Sequence, residues 1–270
     1  MSSSIIQQRS FPPLTTRNKS QHHDGPSVDV YSAGDSVAGG REYNEDRYHR
    51  CDESQFYLVV DGMGGHRGGA LASQIAVETI PQVWSHCIGS QTPSIDRIQS
   101  TFHEAVLSAS SEMSAIAVAH PGYDRMGCTL GAAIIIGNRM YFTNVGDCRV
   151  YLLRGNSLSL LTKDQTLVQG MVDSAILTAS QAKTHRWRHI VTNSVSAQGL
   201  QQPPTLKSIE IQPRDRVLVT SDGMSDELSR AEIEQIMVRC DGVQDCVNQL
   251  IKESEHRNAR DNVTCVVLEI

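Results

Sequence analysis

"FYLVVDGMGGHRGGALASQ", residues 56–74, is an apolar run broken by an aspartate and then by glycines. Phe56 to Val60 reads as a strand, and Asp-Gly after a strand most often makes a hairpin turn. No return strand follows here. The glycine-rich loop opens instead into a helical pattern, with Leu71, Ile75 and Glu78/Thr79 at helical spacing and an expected end near Pro81. Hairpin chemistry is therefore a poor explanation for Asp61.

The same grammar recurs in "VLVTSDGMSDELSRAEIEQIM", residues 217–237, where Asp222-Gly223 also follows an apolar strand and precedes a helix. Asp147 caps "YFTNV", Asp261 begins the final strand in "ARDNVTCVV", and Glu45-Asp46 lie in "GGREYNEDRYH" between two early strands. Taken singly, an aspartate at a strand end is commonly an Asx-turn residue that accepts local backbone hydrogen bonds. If several such ends meet at one edge, their carboxylates repel and the cluster needs cations. Oxygen-only ligation suits Mg²⁺ or Mn²⁺ better than structural zinc. Gly62, without a side chain, would let its carbonyl approach a metal. Two ions about 4 Å apart could activate a water and clamp a phosphoryl group, which makes hydrolysis of a phosphate ester the natural reaction class. Arg41, four residues before Glu45, could hold two phosphate oxygens in a planar fork.

Composition points the same way. A formal charge of −6 argues against nucleic acid or an anionic membrane as partner and favours cations. Seven cysteines without a CxxC read as reduced thiols in a cytoplasm. The longest apolar stretch, around 132–136, fits a buried strand and falls short of a membrane helix. Residues 1–28, polar and rich in Pro and Ser, read as a flexible N-terminal tail, and 29–270 as one domain.

Strand patterns at 28–40, 47–51 and 56–60 open that domain. A long helix is expected from Ser94, then a meander of "CTLGAAIII", "RMYFTNV" and "RVYLL" joined by Gly137-Asn138 and Gly146-Asp147. Residues 164–200 read as a surface excursion with two short helical patterns. Strands at 206–211 and 216–220 follow, then a helix opened by the capping box Ser229/Glu232, a helix from about Val243 to Glu255, and a closing strand. Without βαβ alternation, the order indicates an α+β domain of antiparallel sheets covered by helices.

In that order and spacing, "REYNEDRY", "VVDGMGGH", "GCTL", "NVGDCRVYLLR", "LTKDQTLV", "TSDGMSDEL" and "RDNVTCVV" resemble the metal-dependent protein Ser/Thr phosphatases of type 2C, in their bacterial form. The resemblance runs from about residue 29 to 270. It implies a four-layer α-β-β-α sandwich and hydrolysis of phosphoserine and phosphothreonine in proteins by a water activated between two Mn²⁺ or Mg²⁺ ions. By motif, Asp61 would bridge the ions and Gly62 would lend its carbonyl. Asp222 and Asp261 would complete the first ion's shell, and Glu45 and Asp46 would serve the second ion, directly or through water. Asp147 matches the position that holds a third, weaker ion with Asp222, and Arg41 matches the phosphate-binding arginine. A phosphorylated protein, a Ser/Thr kinase that it reverses, and a monomeric state are implied with them.

The chain departs from the family at several positions. Met63 stands where eukaryotic relatives carry a histidine proposed as general acid, and His66 reads as a loop-packing residue. Cys148 replaces Ser, Gln165 replaces a frequent His, and Asn193 replaces an Arg in the segment that resembles the family's flap, "THRWRHIVTNSVSAQG".

Four competing readings are weaker. Cys148 and Arg154 fit a Cys-five-residues-Arg pattern, but Val, Tyr and two Leu between them favour a strand over an anion-cradling loop. The glycines after Asp61 lack the Gly-Lys-Ser/Thr of a nucleotide loop. "HRWRH" (185–189) reads as a partly exposed substrate-side loop rather than a nucleic-acid patch or a His pair for metal. A phosphoprotein-binding module of the same fold, without turnover, is the non-enzyme alternative, and the full acidic set argues against it.

Overall fold

The computed structural model describes residues 28–89 and 93–270, so the expected tail, apart from Val28, lies outside the described residues. In chain order the elements are β1 (Tyr31–Val37), β2 (Arg47–Cys51), β3 (Phe56–Met63), α1 (His66–Cys87), α2 (Ile95–Ala119), β4 (Gly127–Ile136), β5 (Arg139–Val145), β6 (Arg149–Arg154) and β7 (Ser157–Leu160). There follow α3 (Leu167–Asp173), α4 (Ala179–Thr184), β8 (Val195–Ser196), β9 (Lys207–Glu210), β10 (Arg216–Thr220), α5 (Asp222–Glu227), α6 (Arg230–Arg239), α7 (Val243–His256) and β11 (Val263–Glu269).

Two antiparallel sheets form, ordered β1-β11-β10-β6-β7 and β2-β3-β4-β5-β9, with β8 paired to β4. Strand periodicity divides their side chains among three cores. Tyr57 and Val59 face Val217, Val219, Val266 and Leu268 between the sheets. Phe56, Leu58 and Val60 face the other way, toward α1 and α2. Leu218, Val263, Cys265 and Val267 meet α6 and α7 on the opposite outer face. The result is the expected α-β-β-α stack. Burial on both faces explains why β3 shows no polar alternation.

The starts of α2 and α6 follow their caps. Ser94 accepts from the Arg97 N–H, and Ser229 and Glu232 form the reciprocal box. Three expectations need correction. α1 does not end near Pro81 but runs on to Cys87. Trp84 is 3% exposed and packs on Phe56 and Phe102 at centroid distances of 5.6 and 6.4 Å, and that burial outweighs the hydrogen bond the proline cannot make. β3 does not stop at Val60; it continues through Asp61 and Gly62, which pair with Thr129 and Cys128. Finally, β4, β5 and β6 are no meander within one sheet. At Gly146-Asp147 the chain leaves β5 and crosses to the other sheet, where β6 pairs with β10 and β7.

Candidate metal centre

That crossing, the end of β3, the start of α5 and the approach to β11 meet at one edge of the sandwich. They enclose a cleft of about 580 Å³ lined by Arg41, Glu45, Asp61, Gly62, Asp147, Asp222 and Asp261, among others. Six of the seven expected metal-site positions therefore line one cavity, together with the expected arginine.

Asp46 is the exception. It is 1% exposed and lies beneath the cleft, where its Oδ2 accepts from Ser221 Oγ at 2.8 Å while Oδ1 has no hydrogen-bond partner. Ser221 is fixed in turn, since its Oγ accepts from the Thr264 N–H at 3.1 Å. Asp222 Oδ1 is likewise buried and unpartnered. Burial pushes the Asp46 carboxyl up to about 6, with the charge of Asp261 adding to the effect against hydrogen bonds that lower it. Asp147 is pushed up to about 6 as well, first by burial and then by Asp164. Asp61 and Asp222 keep part of their surface open to the cleft. Desolvation, followed by the neighbouring aspartates, still holds both well above the usual carboxylate range. Two orphan carboxylate oxygens among mutually repelling acids fit divalent cations, and an all-oxygen set suits Mg²⁺ or Mn²⁺.

The glycines of the two Asp-Gly pairs have a packing reason. A Cβ on Gly62 would lie 2.2 Å from the Gly69 carbonyl oxygen, and one on Gly223 would lie 2.0 Å from that of Asn262. Each lets a second backbone close over the aspartate before it. Asn262 also shapes the loop that carries Arg41 and Glu45. Its Nδ2 donates to the Ala38 and Tyr43 carbonyls at 2.9 Å each, and its Oδ1 accepts from the Glu45 N–H at 2.8 Å. Arg41, more than half exposed at the rim, donates from Nη2 to Asp261 Oδ2 at 2.7 Å.

With this geometry in place, comparison with known proteins is decisive. A family model described as Protein phosphatase 2C matches residues 33–264. The chain belongs to the protein phosphatase 2C family. It is 32% identical over 230 residues to the serine/threonine protein phosphatase PstP of Mycobacterium tuberculosis, covering 85% of this chain and 43% of that relative. It is 27% identical over 232 residues to the serine/threonine phosphatase stp of Listeria welshimeri, covering 85% of this chain and 91% of the relative. The chain thus spans less than half the length of the mycobacterial relative and nearly all of the listerial one. A crystal structure of the catalytic domain of PstP in complex with two manganese ions superposes with a TM-score of 0.77 at 29% identity, covering 89% of this chain and 97% of that one.

Within this phosphatase fold, the thiol alternative has no geometry to support it. Cys148 is fully buried, 3.2 Å from Thr129 Oγ1, and burial pushes its thiol well up. Arg154, at the far end of β6, is spent on a two-point contact with Asp215 at 2.9 and 2.7 Å.

Sequence reasoning missed Asp226. Four residues after Asp222 on α5, it lines the cleft and lies near Arg188 Nη2, at 3.5 Å, and His189 Nδ1, at 3.8 Å. One potential ligand atom each from His189, Asp222 and Asp226 falls within 4.8 Å of the others. The i, i+4 spacing in "DGMSD" was the available signal. Arg188 and His189 place the "HRWRH" segment at the cleft mouth, and Arg186 stacks over Trp187 at 4.6 Å.

Proposed function

We propose that this chain is a protein Ser/Thr phosphatase that releases phosphate from phosphoserine and phosphothreonine and so reverses a Ser/Thr kinase. The observation that carries the proposal is the convergence of Glu45, Asp61, Asp147, Asp222 and Asp261 on one cleft, with unpartnered carboxylate oxygens on Asp46 and Asp222. Asp61, Gly62, Asp222 and Asp261 would hold one pair of Mn²⁺ or Mg²⁺ ions together with Glu45 and Asp46. Asp147 would join Asp222 at a third, weaker position. Bound there, divalent ions supply activation of a water and neutralisation of phosphoryl charge.

The protein's own groups do the rest. Arg41 offers charge-assisted donors to phosphate oxygens at the rim, and exchanging Asp261 for the phosphate frees it to do so. Asp46 sits too deep to touch substrate and acts from below, through its charge and through Ser221. Met63 lines the cleft but has no proton to give, so the leaving oxygen takes its proton from another group. The catalytic unit is 29–270, acting as a monomer. A cytoplasmic setting agrees with seven free thiols and with the finding that no described helix is long and apolar enough to cross a membrane.

The test is hydrolysis of a phosphothreonine peptide by metal-stripped protein, with Mn²⁺ added back, in wild type, Asp222→Asn and Cys148→Ser. Mn²⁺-dependent release lost only in Asp222→Asn supports the proposal. Release that survives chelation and is lost in Cys148→Ser overturns it. Binding of the phosphopeptide without release under any metal condition would establish the non-catalytic module instead.

A further inference from the structure

One side chain outside the acidic set bonds both to the residue before Asp147 and to the segment that follows Arg188 and His189. Gly146 precedes Asp147 with φ +89°, and a Cβ on it would lie 2.4 Å from Thr129 Cγ2. Both of its polar groups are held. Its N–H donates to Gln165 Oε1 at 2.8 Å, and its carbonyl accepts from the Gln165 N–H at 2.9 Å and from Asn144 Nδ2 at 2.8 Å. Gln165 therefore brackets Gly146 with side chain and backbone at once.

The same Oε1 accepts from Asn193 Nδ2 at 3.0 Å. Asn193 is 2% exposed and is itself fixed by Gln202, whose carbonyl accepts from Nδ2 and whose N–H donates to Oδ1, each at 3.1 Å. Backbone bonds run alongside. The Thr192 N–H donates to the Gln165 carbonyl at 2.7 Å and the Leu167 N–H to the Ile190 carbonyl at 2.8 Å. The segment so anchored begins with Arg188 and His189 at the cleft mouth. Gln165 and Asn193, 28 residues apart in sequence, thus touch directly. An amide oxygen has two lone pairs, and Gln165 uses both.

We propose that Gln165 is a positioning residue, whose single carboxamide oxygen aims Asp147 into the cleft and hangs the 188–193 rim on the same point. The proposal rests on Asp147 as a metal ligand. It goes further in assigning the control of that ligand, and of the rim facing the substrate, to a residue that does not itself line the cleft. Groups that orient metal ligands from outside are worth roughly 10–100-fold in affinity or activity when removed.

The experiment titrates Mn²⁺ calorimetrically into the metal-stripped full chain. It compares wild type, Asp147→Asn, Gln165→Met, Gln165→Glu and Asn193→Ala, with melting curves in chelator to verify folding and kcat and KM for a phosphothreonine peptide alongside. Methionine keeps the length and removes the acceptor; glutamate keeps an oxygen with two lone pairs. Gln165→Met is expected to weaken the weakest class of Mn²⁺ sites about tenfold, as Asp147→Asn does, and to leave the tighter classes unchanged. Gln165→Glu should bind at least as tightly as wild type. Asn193→Ala, which removes the bond to Gln165 and the two to Gln202 but leaves the Gln165–Gly146 bonds in place, should raise KM several-fold more than it lowers kcat.

Wild-type Mn²⁺ binding in folded Gln165→Met, where Asp147→Asn does lose a class, overturns the positioning role alone. Equal damage in Gln165→Glu overturns it as well, since packing would then be the cause. If Asp147→Asn itself changes nothing, the metal assignment of Asp147 falls and the proposal with it. Should Gln165→Met not fold, Asn193→Ala decides: an unchanged KM overturns the proposal, and a raised KM with wild-type melting supports it.

Discussion

Asp46→Asn should make the metal-free protein more stable at pH 8. The Asp46 carboxyl is 1% exposed and is pushed from 3.8 up to about 6. Its pKa is raised in the folded state, so the associated stability is fully present below pH 3.8 and is lost as pH rises through about 6. A rise from 3.8 to about 6 corresponds to a ceiling of ~3 kcal/mol at pH 8. Asparagine is nearly isosteric, keeps an oxygen for Ser221 Oγ and carries no charge to desolvate. Melting curves in chelator should show a gain of up to roughly 6–12 °C at pH 8, from 2–4 °C per kcal/mol for a chain of this size, shrinking as pH falls toward 4. Mn²⁺ should reverse the order, because cations stabilise the wild type by mass action and the variant binds them poorly. A variant no more stable than wild type in chelator at pH 8, or a gap that does not change with pH, refutes the idea that this carboxylate is held at a cost to the fold.

Other substitutions separate the parts of the site. Arg41→Ala should lower kcat/KM for a phosphopeptide by about 10–100-fold through lost charge-assisted bonds of roughly 1.5–3 kcal/mol, while calorimetric Mn²⁺ affinity stays near wild type. Gly62→Ala should cost about 3 kcal/mol or more in urea unfolding, because its Cβ would sit 2.2 Å from the Gly69 carbonyl oxygen and backbone must move. Trp84→Ala should cost roughly 3–5 kcal/mol in the same measurement and leave Mn²⁺ affinity unchanged, since it lies in the helix-covered core remote from the cleft.

The sequence made the repeated Asp-Gly grammar visible because each aspartate closely follows an apolar run whose length marks a buried strand. Caps at Ser94 and Ser229 were legible for a similar reason: their chemistry is local. What escaped was set by distant parts of the chain. Gly146-Asp147 looks like a hairpin link, and only the pairing of β6 with β10, more than sixty residues later, takes β6 into the other sheet. Pro81 looks like a stop, and only the pocket around Phe56 and Phe102 keeps the helix going to Cys87. Gly62 invites a metal-facing explanation, whereas its nearest constraint is the backbone of Gly69. Asp46 and Glu45 are neighbours in sequence, yet in the loop that leads into β2 the first is buried beneath the cleft, held by Ser221, and the second stays in its lining.

The central claim is that the carboxylate cluster works only when it holds a pair of divalent ions. Phosphate release from a phosphothreonine peptide, followed as Mn²⁺ is added in measured equivalents to the stripped protein, tests this most directly. The account predicts no release without metal and a rise that completes the binding of a second equivalent. Full release at zero or one bound ion per chain would contradict it.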